Sequence, residues 1–339
     1  MLRENMTDLQ RTAYDCYNNT VIKYSVAEAE DVIRKAIINE IGEPPAKREK
    51  LNRWFQNNKN RFYELIEEVL EPLVNIPKLS DLGGYVLVDS CDFGDKKAYI
   101  VKNKDLFKVS QISTGVGMTD RQRLHDSKLD TKQARLGIKI YEEAFEFLTG
   151  RISWTELVNK VKDSFDHTVT MMVIQTIFDA YDVVNTNLKS SVNKEGVGDK
   201  LRTMIARVKG ATGVEPVVLG TKSALASIPN SGGEYYVADG EDRRNGGYVK
   251  LFEGTRCVEL TQYYDVENNK FHVPDDCLII TVPDANGKLA VVTYEGGVTI
   301  LDSDDPLARK DYQLEMEMER FVHVGVPVAM HFGMVKITG

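Results

Sequence analysis

The sequence predicts an α+β fold assembled around one very long helix and one very long strand. Three observations carry that prediction. The first quarter of the chain is helical in its patterning. Residues 153–184 hold an amphipathic repeat with no internal glycine or proline, and residues 312–326 alternate with a strict period of two.

Residues 3–75 read as helices. Ser25 followed by Glu28 has the form of a capping box, and Val26, Ala29, Ile33, Ile37 and Ile41 follow at helical spacing. Gly42 and the pair Pro44 and Pro45 end that helix. Another helix is expected after Pro45. Leu51, Trp54, Phe55, Phe62, Leu65, Ile66, Val69 and Leu70 supply its apolar stripe, and Pro72 is its expected stop.

The pattern changes over residues 83–140. Tyr85–Val88 and Ala98–Val101 have strand composition, and Leu129–Ile140 is extended again. Between them lies a polar stretch with glycines at 115 and 117. The expected structure is a two-stranded excursion with a polar tip. It buries too little to stand alone, so it should lie on something else. The fragment 115–120 lacks the third glycine or the Gly-Lys-Ser/Thr ending of a phosphate loop.

Ser153 and Glu156 open the next helix as a capping box. Trp154, Leu157, Val161, Phe165, Val169, Met172, Val173, Ile177 and Tyr181 then recur every three or four residues. About 30 residues at 1.5 Å each give a rod of roughly 45 Å.

Residues 198–298 have the composition of a compact α/β unit. It comprises a helix from 198 to 208 stopped at Gly210, a strand over 215–219 and a short helix over 222–228. Loops at 230–234 and 243–247 follow, then a buried strand over 277–282. The turn residues 284–287 lead into 289–294, which predicts a hairpin. At the end of the chain, even positions from Tyr312 to Val326 are apolar except for Arg320, and odd positions include Glu315, Glu317 and Glu319. Val328, Met330, Phe332 and Met334 continue the alternation beyond Pro327.

Composition narrows the function. Hydrophobic residues make up 42% of 339, enough for a substantial core. No apolar run approaches the roughly 18 residues of a membrane span, and the N-terminus has no secretory pattern. Cys16, Cys91, Cys257 and Cys277 are scattered, as are the five histidines, so neither a zinc site nor a disulfide framework is expected. No Gly-x-Ser-x-Gly elbow occurs. Asp302, Asp304 and Asp305 lack an EF-hand ligand pattern. No catalytic, cofactor-binding or metal-binding residues are assigned. The net charge of −8 argues against a sequence-reading nucleic-acid protein. Yet Lys96–Arg135 carries ten Lys/Arg against four Asp/Glu, a basic segment on an acidic body. Such a split predicts docking onto an acidic partner, including a second copy of the chain.

The order of elements resembles the tailed-bacteriophage major capsid protein family, whose fold is shared with encapsulin shells. Residues 147–154 (FLTGRISW) resemble the approach to that family's spine helix. Residues 215–228 (EPVVLGTKSALASI) resemble the strand and helix of its axial domain, and 317–328 (EMERFVHVGVPV) its final peripheral strand. The resemblance spans roughly residues 80–339. It implies a helical N-terminal arm over 1–80, an extended loop with flanking strands over 81–150, a peripheral domain over 151–197 and 299–339, and an axial domain over 198–298.

The resemblance further implies a non-enzymatic subunit that assembles into hexamers and pentamers of an icosahedral head around double-stranded DNA. Assembly would take place in the bacterial cytoplasm, with portal, scaffolding or decoration proteins as partners and no cofactor. The N-terminal segment is longer than a simple arm, and family members can carry an N-terminal scaffold that a protease removes. Arg121, Arg123, Lys128, Lys132 and Arg135 are expected to meet Glu315, Glu317 and Glu319 of another subunit. An encapsulin-like compartment housing cargo and an α/β enzyme are the alternatives.

Overall fold

The computed structural model describes residues 7–17, 26–45, 48–74, 84–101, 121, 127–129, 131–143, 154–229, 237–265, 269–283, 288–302, 313–327 and 332–338. Three N-terminal helices come first: α1 (Asp8–Tyr17), α2 (Val26–Ile41) and α3 (Arg48–Val74). Helix α2 follows its predicted spacing, with Ile33 and Ile37 buried; its end is closed by the Gly42 N–H donating to the Ile38 carbonyl at 2.7 Å. Helix α3 runs two residues beyond the expected stop at Pro72. A proline in the last turn removes only one intrahelical bond there, so the helix frays past it instead of breaking. Ser25 lies outside the described residues.

Two sheets organise the remainder. The first has four strands in the order β1 (Val86–Cys91), β12 (Ala290–Asp302), β13 (Gln313–Gly325) and β4 (Lys132–Glu143). Strand β13 is the long terminal strand predicted by the alternation, and it pairs antiparallel with both β12 and β4. Strand β1 pairs parallel with β12. Of the two-stranded excursion, the described part is a short antiparallel ladder between β2 (Tyr99–Val101) and β3 (Ser127–Leu129). Its polar tip lies outside the described residues.

The long helix is α4 (Trp154–Asp179), 26 residues or about 39 Å, continued by a 3₁₀ turn at Ala180–Asp182. It lies against the β12–β13 face and bridges two cores. Val161 and Phe165 join a cluster built by α1–α3, whereas Val169, Val173, Ile174 and Ile177 join the larger cluster around the second sheet. Each fully buried aliphatic side chain contributes about 1.5–3 kcal/mol.

The second sheet has six strands in the order β5 (Lys189–Asn193), β14 (Phe332–Thr338), β11 (Cys277–Thr281), β6 (Val217–Gly220), β8 (Thr255–Glu259) and β7 (Leu251–Phe252). Helix α5 (Val197–Thr212) packs on β14, β11 and β5, and α6 (Lys222–Ala226) packs on β6, β11 and β8. Thr221 caps α6, its hydroxyl accepting from the Ala224 N–H at 3.3 Å. A small hairpin joins β9 (Tyr264–Asp265) to β10 (Lys270–Phe271).

Four expectations need correction. The stop of α5 is Gly213 at φ 74°, not Gly210, because only Gly213 adopts the left-handed cap. Residues 243–246 are not loop but the end of α7 (Val237–Gly246), anchored by the Arg243 guanidinium donating to the Ile228 carbonyl at 2.5 Å. Strands β11 and β12 form no hairpin. Strand β11 is buried along its whole length and needs neighbours on both sides, so it sits between β14 and β6 while the chain crosses to the other sheet.

Finally, β14 does not continue β13. Pro327 carries no N–H for a ladder, and β14, apolar on both faces, leaves for the slot between β5 and β11. At that slot Gly333 passes α5 so closely that a β-carbon would stand 2.7 Å from Met204 Cγ. Strand β5 and residues 332–338 thus share the six-stranded sheet with β11, β6, β8 and β7, and β12 lies in the four-stranded one.

Candidate functional site

The two faces of the four-stranded sheet are chemically distinct. Even positions of β13 meet the helices: Met318, Val322 and Val324 are buried there. Odd positions meet the outward face, where β4 sets cations against the carboxylates of β13. In the ladder Glu315 stands opposite Tyr141, Glu317 opposite Lys139, Glu319 opposite Gly137 and Phe321 opposite Arg135. Glu319 faces Gly137, which has no side chain, and Arg135 reaches it along the diagonal. Arg135 Nε donates to Glu319 Oε2 at 3.0 Å, a second guanidinium nitrogen bonds the same oxygen, and the guanidinium carbon lies 5.7 Å from the Phe321 ring centroid.

Arg135 and Glu319 meet within a single chain, because β4 and β13 are neighbours in register. Arg121, Lys128 and Lys132 are exposed. Lys128 lies in the β2–β3 ladder, Glu317 is half-buried on β13, the Glu315 side chain is not described, and Arg123 lies outside the described residues.

Lys96, Lys97 and Lys128 line a cleft of about 380 Å³ with Ala98 and Leu129, at the root of the excursion. Lys97 donates to Asp89 Oδ1 on β1 at 2.5 Å. Burial works against the Asp89 charge, yet the hydrogen bonds from Lys97 and the Ser90 N–H prevail and hold its carboxyl below the usual range. Tyr99 shares a 2.6 Å hydrogen bond with the Thr293 hydroxyl, fastening β2 to the sheet.

A second fastening lies where β12 bulges after Glu295. The Glu295 carboxylate accepts from His323 Nε2 at 2.6 Å, from Gln133 Nε2 at 2.9 Å and from the Gly94 N–H at 2.8 Å. Both His323 and Glu295 are buried. The His323 hydrogen bond, helped by the Gly94 N–H, holds the Glu295 carboxyl below its ordinary value of 4.5. A carboxylate with a depressed native pKa stabilises the fold fully above the unfolded value, and that contribution is lost as pH falls through the native one. Glu295→Gln should therefore lower the urea midpoint at pH 7, with the gap to the unmodified subunit closing as pH falls below 4.5. A gap that stays constant with pH would refute the assignment.

This network holds the nearest approach to a catalytic grouping among the described residues, since Cys91 stands opposite Glu295 in the ladder. Burial, reinforced by the Glu295 charge, pushes the Cys91 thiol up and keeps it protonated, the reverse of an activated nucleophile. Burial likewise pushes Cys257 and Cys277 up to about 12. Among the described residues no group of three or more His, Cys, Asp and Glu is placed to hold a metal ion, and no helix is long and apolar enough to cross a membrane. His167 is exposed on α4 with its ring 4.8 Å from Tyr263 and 6.1 Å from His272. His125, His331, Ser231, Asp304 and Asp305 lie outside the described residues.

A spine helix spanning two cores thus lies beneath a long-stranded sheet with a charged outer face, and the described residues show a structural framework. Residues 5–336 match the protein family described as SPbeta prophage-derived putative capsid protein YonB. The chain belongs to that family, and its role is that of a major capsid protein of a bacteriophage shell.

No curated protein matches the chain. Among solved structures, it is similar to the mature capsid of bacteriophage PhiM1 at 13% identity, covering 76% of this chain and 87% of that one, with a TM-score of 0.49. The capsid of cyanophage P-SCSP1u is similar at 9% identity, 75% and 87% coverage and a TM-score of 0.49. A virus-like particle from Pyrococcus furiosus is similar at 12% identity, 80% and 99% coverage and a TM-score of 0.45.

Proposed function

We propose that this capsid subunit builds a closed icosahedral head from hexamers and pentamers of itself, assembled in the host cytoplasm around double-stranded DNA, without catalysis. The six-stranded unit, residues 189–283 with 332–338, is the axial domain that meets its copies around the symmetry axes. The four-stranded sheet with α4 is the peripheral domain, and the basic segment Lys96–Arg135 is the part of the chain that docks on a neighbouring subunit. Portal and scaffolding proteins are the further partners. DNA contact is sparse and non-specific, in keeping with a chain of net charge −8.

The observation that carries this reading is the capsid family match over residues 5–336. The loop's charge supports the docking mode: Lys128 and Arg121 are exposed on the basic segment while Arg135 is satisfied inside its own chain. The acidic partner is therefore sought outside the Arg135–Glu319 pair. An exposed ion pair contributes about 0–1 kcal/mol, so reversing two charges at each contact weakens it by roughly tenfold, a loss repeated at every copy.

Electron microscopy of the expressed chain should show closed thin-walled particles or hexameric and pentameric rings. Arg121→Glu combined with Lys128→Glu should leave the circular dichroism spectrum of the subunit unchanged and reduce particle yield about tenfold or more. Normal particle yield from that double variant would remove the loop-docking mode. A monodisperse monomer from the unmodified chain at high concentration, with purified scaffold supplied, would remove the shell reading itself.

A further inference from the structure

Helices α1–α3 are seated on the shell-building part of the molecule through a continuous apolar core. Ala13, Ile33, Ile37, Ile41, Phe62, Leu65, Ile66 and Val69 supply the helical side of that core. Val161 and Phe165 of α4 and Met318 of β13 supply the other side, at 1%, 6% and 1% exposure. Leu136, Ile138 and Ile140 of β4 pack against the same cluster, as does Leu157 of α4. Helix α3 also touches β12 and α4 directly. The N-terminal helices thus cover the apolar face of the outer half of the four-stranded sheet and the first half of the spine helix.

From this packing we infer that the N-terminal helices are a permanent wall component of the shell subunit, not an assembly scaffold that is shed. The inference rests on reading the chain as a shell subunit. A segment built to leave is expected to meet its host through a polar, weakly packed interface. Here two polar links that anchor α1 and α2 run within the helical unit, from Thr7 Oγ1 to Glu68 at 2.7 Å and from Arg61 to Glu40 at 3.3 Å. The seat on the body is built on the buried apolar side chains of that shared cluster. Removing the helices would expose one contiguous apolar face centred on Met318, Val161 and Phe165, a surface that drives aggregation unless it is covered again. Without this cover Met318 would have nothing to bury against.

The experiment is a chain with a specific protease site placed within residues 75–83, between the last residue of α3 and the first of β1. Assembled particles are cleaved under native conditions and sedimented. The released N-terminal fragment should remain with the shells at one copy per subunit, and the shells should remain closed. A fragment that floats free while shells stay closed would overturn the inference. The companion variant, Ile37→Asp in the same cleavable chain, should lose the fragment on cleavage or fail to form shells. Equal retention in that variant would also count against the apolar seat.

Should the chain form no particles even with purified scaffold supplied, the shell reading fails on its own. The seat is then read from the cleaved soluble subunit by gel filtration, where co-elution supports it and separation overturns it.

Discussion

Arg320→Ala should destabilise the unassembled subunit by about 3–5 kcal/mol in urea unfolding, among the largest losses available to any single polar side chain here. Arg320 is only 3% exposed and points into the helix-facing side of β13, between Met318 and Val322. Its guanidinium lies flat over Tyr294, 3.7 Å from the ring centroid. Burial lowers its pKa to about 10, opposed by its attraction to Tyr294 and to Asp166 on α4.

The alanine variant loses both the stacked volume and the countercharge of Asp166. It leaves a cavity beside a carboxylate that has lost its cation. The second arm separates charge from packing. Arg320→Met combined with Asp166→Asn keeps the volume and removes both charges, so it should recover most of the loss. If the double variant were as unstable as the alanine one, neither the cavity nor the unpaired carboxylate would account for the loss, and the contact of the guanidinium with the Tyr294 ring would carry it instead.

Arg320 also marks what the sequence could and could not reveal. The alternation from Tyr312 to Val326 announced a long half-buried strand, and β13 is that strand within one residue at each end. The arginine inside its apolar register was legible as an irregularity. What it meant was not, because Asp166 and Tyr294 lie 154 and 26 residues away and only the packing of α4 on the sheet brings them together. The glutamates at 315, 317 and 319 show the same contrast. Their spacing along one face is local and visible, whereas the identity of the strand beside them is a pairing across nearly 200 residues.

The same limit hid the cluster of Glu295, His323, Gln133 and Gly94, whose members come from three strands and the turn after β1. Helix and strand periodicities survive translation into structure because they are short-range. Sheet order, and with it the departure of β14, depends on which two-sided slot is vacant, and no local pattern encodes that.

The N-terminal unit gives the other large effect. Phe62→Ala should cost about 3–5 kcal/mol, as expected for deleting a nearly fully buried ring from a close-packed core. Phe62 is 2% exposed in the middle of α3 and belongs to the cluster that α4 and β13 complete. The location of the damage is more informative than its size. If α1–α3 formed a separate domain, hydrogen exchange would quicken within residues 8–74 alone.

Because Val161, Phe165 and Met318 close the same core, exchange should also quicken along Trp154–Phe165 and at the outer end of β13. Helix α5 and the six-stranded sheet, which draw on the other cluster, should keep their protection. A cavity felt on only one side of the interface would mean that the helices rest on the sheet without sharing its stability. Protection lost across the whole molecule would mean that the two cores unfold as one. The expected pattern, loss confined to the first half of the spine helix and the strand beneath it, follows from a helix long enough to belong to both cores at once.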